Sequence, residues 1–150
     1  MISLAAPLAA LALTLGVTTL TPVQATYLER CGGCHGIQGH SAPGAVPSLR
    51  GQVSYFLCFP EARAYLVRLP SLASSPLTDV ELAQLMNFVV FDLGGASNQR
   101  RYSAEEVSEL RSRPLNEISL AGYRRRIVDR LIGDCGAPVS LREYSSTPAK

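Results

Sequence analysis

Five consecutive positions, Cys31-Gly32-Gly33-Cys34-His35, constrain this chain more than any other feature. They form C-x-x-C-H, the pattern at which a haem c is attached. The spacing has a physical basis. On a helical turn, residues i, i+3 and i+4 share one face. The thiols of Cys31 and Cys34 can then add to the two vinyl groups of one porphyrin edge. His35 is carried beneath the ring, where its Nε2 can bind iron. Gly32 and Gly33 set no side chain against the macrocycle and let the backbone lie close to it. The expected site is therefore Cys31, Cys34 and His35 around one covalent haem c, with His35 as the iron ligand.

Two other chemistries use the same residue types. A thioredoxin-like C-x-x-C follows a strand in a βαβ pattern, and no strand pattern precedes Cys31. A structural zinc site takes four ligands with paired spacing. The remaining candidates, His40, Cys58 and Cys135, are scattered and form no second half-motif.

The segment upstream bears on the compartment. Met1 to Thr19 is apolar, and the first charged side chain of the chain is Glu29. Val23-Gln24-Ala25 places short residues where a signal peptidase cuts after Ala25. An apolar stretch ending in such a site reads as a secretory signal peptide, residues 1–25. No Lys or Arg precedes the apolar stretch, and an uncleaved membrane anchor is the alternative. Membrane association is expected only in that case. Either way the rest of the chain faces an exported, oxidising space, most simply the bacterial periplasm.

From this point the chain resembles the class I (mono-haem) cytochrome c family. Thr26-Tyr27-Leu28-Glu29-Arg30 leading into Cys31 is similar to the family's first helix, with Tyr27 and Leu28 as apolar contacts. Val46 to Gly51, VPSLRG, is similar to its Pro-x-Leu-x-Gly segment. The resemblance implies that the Pro47 carbonyl accepts the Nδ1–H of His35, a bond that sets ring tautomer and orientation. Leu77 to Val90 resembles the family's last helix, which packs on the first. The likeness spans about Thr26 to Leu93.

Helical patterning is legible without it. Thr78-x-x-Glu81 is a capping box. Leu82, Leu85, Met86, Val89 and Val90 follow as an apolar stripe, ended by Gly94-Gly95. Residues 61–69 fit a short helix stopping before Pro70, and 36–52 is a Gly/Pro-rich loop. Beyond Ala96, Ser103-x-x-Glu106 is a second capping box opening a helix with Val107 and Leu110. Leu120, Tyr123, Ile127, Val128 and Leu131 mark a longer amphipathic helix with Gly133 as C-cap. The expected fold is all-α: a cytochrome c-like haem domain (26–95) and a C-terminal helical extension (96–150) too small for its own core.

The family holds iron between His and a Met in the loop before the last helix. Here that loop, Arg68 to Leu77, has neither Met nor His, and Leu69-Pro70 stands where the family has Met-Pro. Four options stay open for the sixth position: Met86, which sits in a core stripe; His40, in an exposed loop; Cys58, as thiolate; or no protein ligand.

Cys58 and Cys135 remain after the haem takes two thiols. Exported proteins tend to pair such cysteines, and a bridge would close a loop of ~78 residues, worth about 4 kcal/mol. Buried free thiols are the alternative. The 14 basic and 12 acidic residues are too evenly balanced for a nucleic-acid binder. Every basic residue but Lys150 is Arg, densest at Tyr123-Arg124-Arg125-Arg126. That run could meet an acidic redox partner or an anionic lipid surface, or be a solvated helix face with an Arg125–Asp129 pair.

The expected function is single-electron transfer by an exported mono-haem cytochrome, a carrier rather than an enzyme. The resemblance implies a dehydrogenase or oxidase as redox partner. The alternative is an open-site haem protein for gas sensing or peroxide chemistry.

Overall fold

The computed structural model describes residues 19–42 and 46–143. Among these the chain is all-α, with no strand. The first helix, α1 (Pro22–Tyr27), is opened by a capping box in which Thr21 and Gln24 exchange bonds, with Pro22 at its first position. It runs on through a π-helical stretch (Leu28–Gly32) into a last turn, α2 (Gly33–His35). The proposed cleavage point after Ala25 falls inside α1. Removal there would delete the Thr21 cap, a change costing about 1 kcal/mol. Met1 to Thr18 lies outside the described residues. Among the described residues no helix is long and apolar enough to cross a membrane.

The loop after α2 leads into a 3-10 turn (Val53–Leu57) that the apolar pattern does not announce. Helix α3 (Pro60–Arg68) starts on Pro60 and stops before Pro70, as expected. Pro70 then opens a further short helix, α4 (Pro70–Ala73), within a stretch read as loop. Proline suits a first helical position, where its missing N–H is not needed.

Helix α5 (Asp79–Asn87) has the full Thr78–Glu81 capping box and continues as a π-helical stretch (Phe88–Leu93). It packs against α1, with the Tyr27 and Phe88 rings 5.4 Å apart. At its end Gly94 meets the 3-10 turn so closely that a Cβ would lie 2.6 Å from Val53 Cγ1. Only glycine permits that approach.

Two C-terminal helices follow, α6 (Ala104–Arg111) and α7 (Leu120–Cys135). Ser103 caps α6, but the expected box is half made. The Glu106 carboxylate turns away to Arg63, 2.6 and 2.9 Å from its Nε and Nη2. α7 runs past Gly133, and its C-cap is Gly136, at φ 66°. The left-handed cap favours a glycine, and it falls on Gly136, with Gly133 inside the helix. Asp129 pairs with Arg142 at 2.8 Å, not with Arg125.

Val107, Ile127 and Leu131 join Tyr27, Leu82 and Val90 in one apolar core. Cys58 and Cys135 form a disulfide, Cα–Cα 6.4 Å, tying the end of α7 to the 3-10 turn.

Candidate functional site

The C-x-x-C-H segment lies on the wall of a cavity of about 730 Å³, within the size range of cofactor sites. Cys31, Cys34 and His35 all line it. Cys31 is half-buried and Cys34 exposed, and both are free thiols. Burial, with Cys34 close by, pushes the Cys31 thiol up from its ordinary value.

The helix that delivers these residues is held from below. Tyr27 is buried and donates its hydroxyl to the Gly36 carbonyl at 2.7 Å. Gly36 turns the chain at φ 75°, where a Cβ would strike the His40 carbonyl. Gly39 turns it again at φ 80°, and its carbonyl accepts the N–H of Leu49 and Arg50 at 2.8 and 3.0 Å. These turns fold residues 46–50 back beside α2.

The consequence is a bond at His35. Its Nδ1 lies 3.0 Å from the Pro47 carbonyl oxygen. A carbonyl only accepts, so Nδ1 carries the proton and donates. The lone pair then resides on Nε2, the tautomer a metal-binding imidazole needs. Burial outweighs this bond and lowers the pKa of His35, which favours the neutral ring. The glycines between the cysteines are helical, at φ −61° and −63°. A Cβ on Gly33 would meet nothing within 4 Å, and one on Gly32 only ordinary contacts. The protein's own packing therefore does not require either glycine, each of which costs about 1 kcal/mol in a helix.

Opposite the motif the walls are mostly apolar. Val53 and Phe56 come from the 3-10 turn, Leu66 from α3, Leu69 follows it, and Leu85 and Val89 come from α5 and its extension. Two buried polar atoms with no hydrogen-bond partner, Gln52 Oε1 and Ser75 Oγ, belong to residues that line the same cavity. Such orphans are uncommon in a closed protein interior.

Of the sixth-position candidates, Met86 is buried at 3% exposure and lines the cavity. His40 is exposed and does not line it. Cys58 is engaged in the disulfide, so it offers no thiolate. Leu69, at the Leu69-Pro70 step, is part of the wall and supplies no ligand. Among the described residues no group of three or more His, Cys, Asp or Glu comes together to cage a metal ion.

Sequence reasoning missed the C-terminal contribution. Arg111 of α6 reaches over the 73–79 loop and gathers its carbonyls. Its Nε donates to Ala73 O at 3.1 Å, Nη1 to Leu77 O at 2.7 Å, and Nη2 to Ser75 O at 2.5 Å. Nη1 also meets the Asp79 carboxylate at 3.1 Å. Ser74, Ser75, Pro76 and Leu77 of that loop line the cavity. No local pattern marks Arg111 for this role, because its partners lie more than thirty positions away. Arg111→Met is expected to cost about 3 kcal/mol, since it strands several carbonyls at once. Chemical denaturation checks it, and a loss below about 1 kcal/mol would show the clamp to be decorative.

The Tyr123–Arg126 run is also divided by the fold. Arg126 and Arg125 face solvent, whereas Arg124 is buried and lines the cavity with Leu120 and Leu141. Compared with protein-family models, curated proteins and solved structures, the chain shows no significant match to any of them.

Proposed function

We propose that this chain is an exported mono-haem c-type cytochrome that passes single electrons to or from a redox partner. In this reading residues 26–95 form a cytochrome c-like haem domain, 96–150 its extension, and the periplasm its compartment. The observation that carries it is the His35 Nδ1–Pro47 carbonyl bond of 3.0 Å beside the two free thiols on the cavity wall. The packing on α1 of α5 and its π-helical continuation, where Phe88 meets Tyr27, agrees with the same family likeness.

The residues present fit the group. Cys31 and Cys34 would hold it through thioether bonds, and His35 would present Nε2 to the iron. The cavity's volume, apolar walls and two orphaned polar atoms suit a large, mostly apolar ring with a few polar edges. When bound, haem c supplies a one-electron couple at iron. The chain's part is to orient the His35 ring through Pro47, to exclude water with Phe56, Leu66 and Val89, and to offer or withhold a sixth ligand.

Alkaline pyridine haemochrome on the exported protein tests the reading. A spectrum typical of two thioether links is expected, with colour that stays on the chain through acidified organic solvent. Pigment that washes away ends the proposal.

A second reading, an open iron site for gas binding or peroxide chemistry, is favoured by Leu69, which lines the cavity where the family has Met. Met86→Leu separates the two, because Leu fills similar volume without a sulfur. With Met86 as ligand, a low-spin spectrum that ignores carbon monoxide becomes high-spin and takes it up. A high-spin spectrum in the unaltered protein that the substitution leaves unchanged supports the open site.

A further inference from the structure

The C-terminal extension does more than pack on the rest. It places Leu120, Arg124 and Leu141 in the wall of the cavity that Cys31, Cys34 and His35 line. Arg124 is the only charged side chain among the described residues that is buried, at 5% exposure. Its Nη2 donates at 2.9 Å to the carbonyl of Leu141, another residue of that wall.

We propose that Arg124 is the anchor for a carboxylate of the cavity's occupant, and that the extension is a structural part of the cofactor site. This rests on the haem reading above, in which the carboxylate is a porphyrin propionate. The chemistry matches. A guanidinium is permanently charged and presents planar forked donors that fit a carboxylate. A charge held away from water acts through a low effective dielectric, so its pull is stronger than that of a surface cation. Arg30 also lines the cavity, but it is exposed and therefore screened. The buried hydroxyl oxygen of Ser75, which has no partner, gives the same cavity a second polar contact. The fold holds Arg124 firmly. Ile127 and Leu131, on the same helix, are in the core, and the Cys58–Cys135 bridge closes the helix end.

The test uses the full chain carrying Cys31→Ala and Cys34→Ala, so that porphyrin binds reversibly to His35. It is titrated with ferric protoporphyrin IX and with the dimethyl ester of that porphyrin. The parent is expected to prefer the diacid by about tenfold or more. Arg124→Met should weaken the diacid by the same factor and leave the ester within about twofold. Arg124→Lys, which keeps the charge and loses the fork, should retain part of the preference. Equal affinities for the two porphyrins in the parent overturn the proposal, as does an equal loss of both in Arg124→Met. If Arg124→Met does not fold by circular dichroism, the parent and the Lys variant decide alone. A parent that binds neither porphyrin overturns the haem reading as well, whereas binding without discrimination overturns only the role of Arg124.

Discussion

Replacing Cys58 and Cys135 together by Ser is expected to lower the unfolding free energy by about 4 kcal/mol. The bridged residues are 77 positions apart, so the bond closes most of the described chain into one loop. Its effect is mainly on the unfolded state, whose conformational freedom it removes. The native contacts near it are weak substitutes. Tyr123 and Arg130 of α7 reach Glu61 of α3 at 3.1 and 2.9 Å, but all are solvent-exposed pairs worth well under 1 kcal/mol each. Both cysteines must be replaced, since one left alone is a reactive thiol. In a protein of this size the loss corresponds to a melting temperature lower by about 10 °C. Denaturant unfolding of the variant beside the oxidised parent measures it. A difference below about 1 kcal/mol would mean that the closed loop contributes little. An intact mass that does not rise by two hydrogens on reduction would show that the bridge does not form at all.

The largest functional effect is expected from Cys31→Ala combined with Cys34→Ala: no haem remains covalently bound. In the proposed haem reading each thiol would make its own thioether, so either single substitution should leave colour attached through the other. The double variant should lose all pigment on acid–solvent extraction while keeping its helicity, because neither side chain is part of the buried core. Cys31 is only half-buried and Cys34 is exposed, so truncating them opens no core cavity. Pigment that survives extraction in the double variant would place the attachment elsewhere and overturn the assignment. Loss of helicity would instead show the motif to be a packing element.

Much of the fold was legible because its signals are local. Thr78 and Glu81 are three residues apart and meet wherever a helix starts there, so that capping box is present in full. The stripe from Leu82 to Val90 is buried as its 3.6-residue period requires. The same logic failed where a distant residue competed for a local partner. Ser103 and Glu106 have the identical spacing, yet Arg63, forty-three positions away, takes the Glu106 carboxylate. Asp129 has the i, i+4 spacing to Arg125, yet it pairs with Arg142, thirteen positions further on. Gly133 and Gly136 are equally plausible stops by type. The left-handed backbone falls on Gly136, one residue beyond the cysteine that the disulfide holds.

The candidate site divides in the same way. Its chemical centre, two thiols and an imidazole at i, i+3 and i+4, could be read from five letters, because helical geometry alone brings those atoms to one face. The surrounding walls could not. Arg124, Arg125 and Arg126 are the same residue in consecutive positions, and nothing in their order says which is buried. That depends on where α7 lies against the rest of the molecule, which long-range packing and the Cys58–Cys135 disulfide settle together. Short-range stereochemistry thus specifies the reactive groups, while burial and charge pairing emerge when segments far apart in the chain meet.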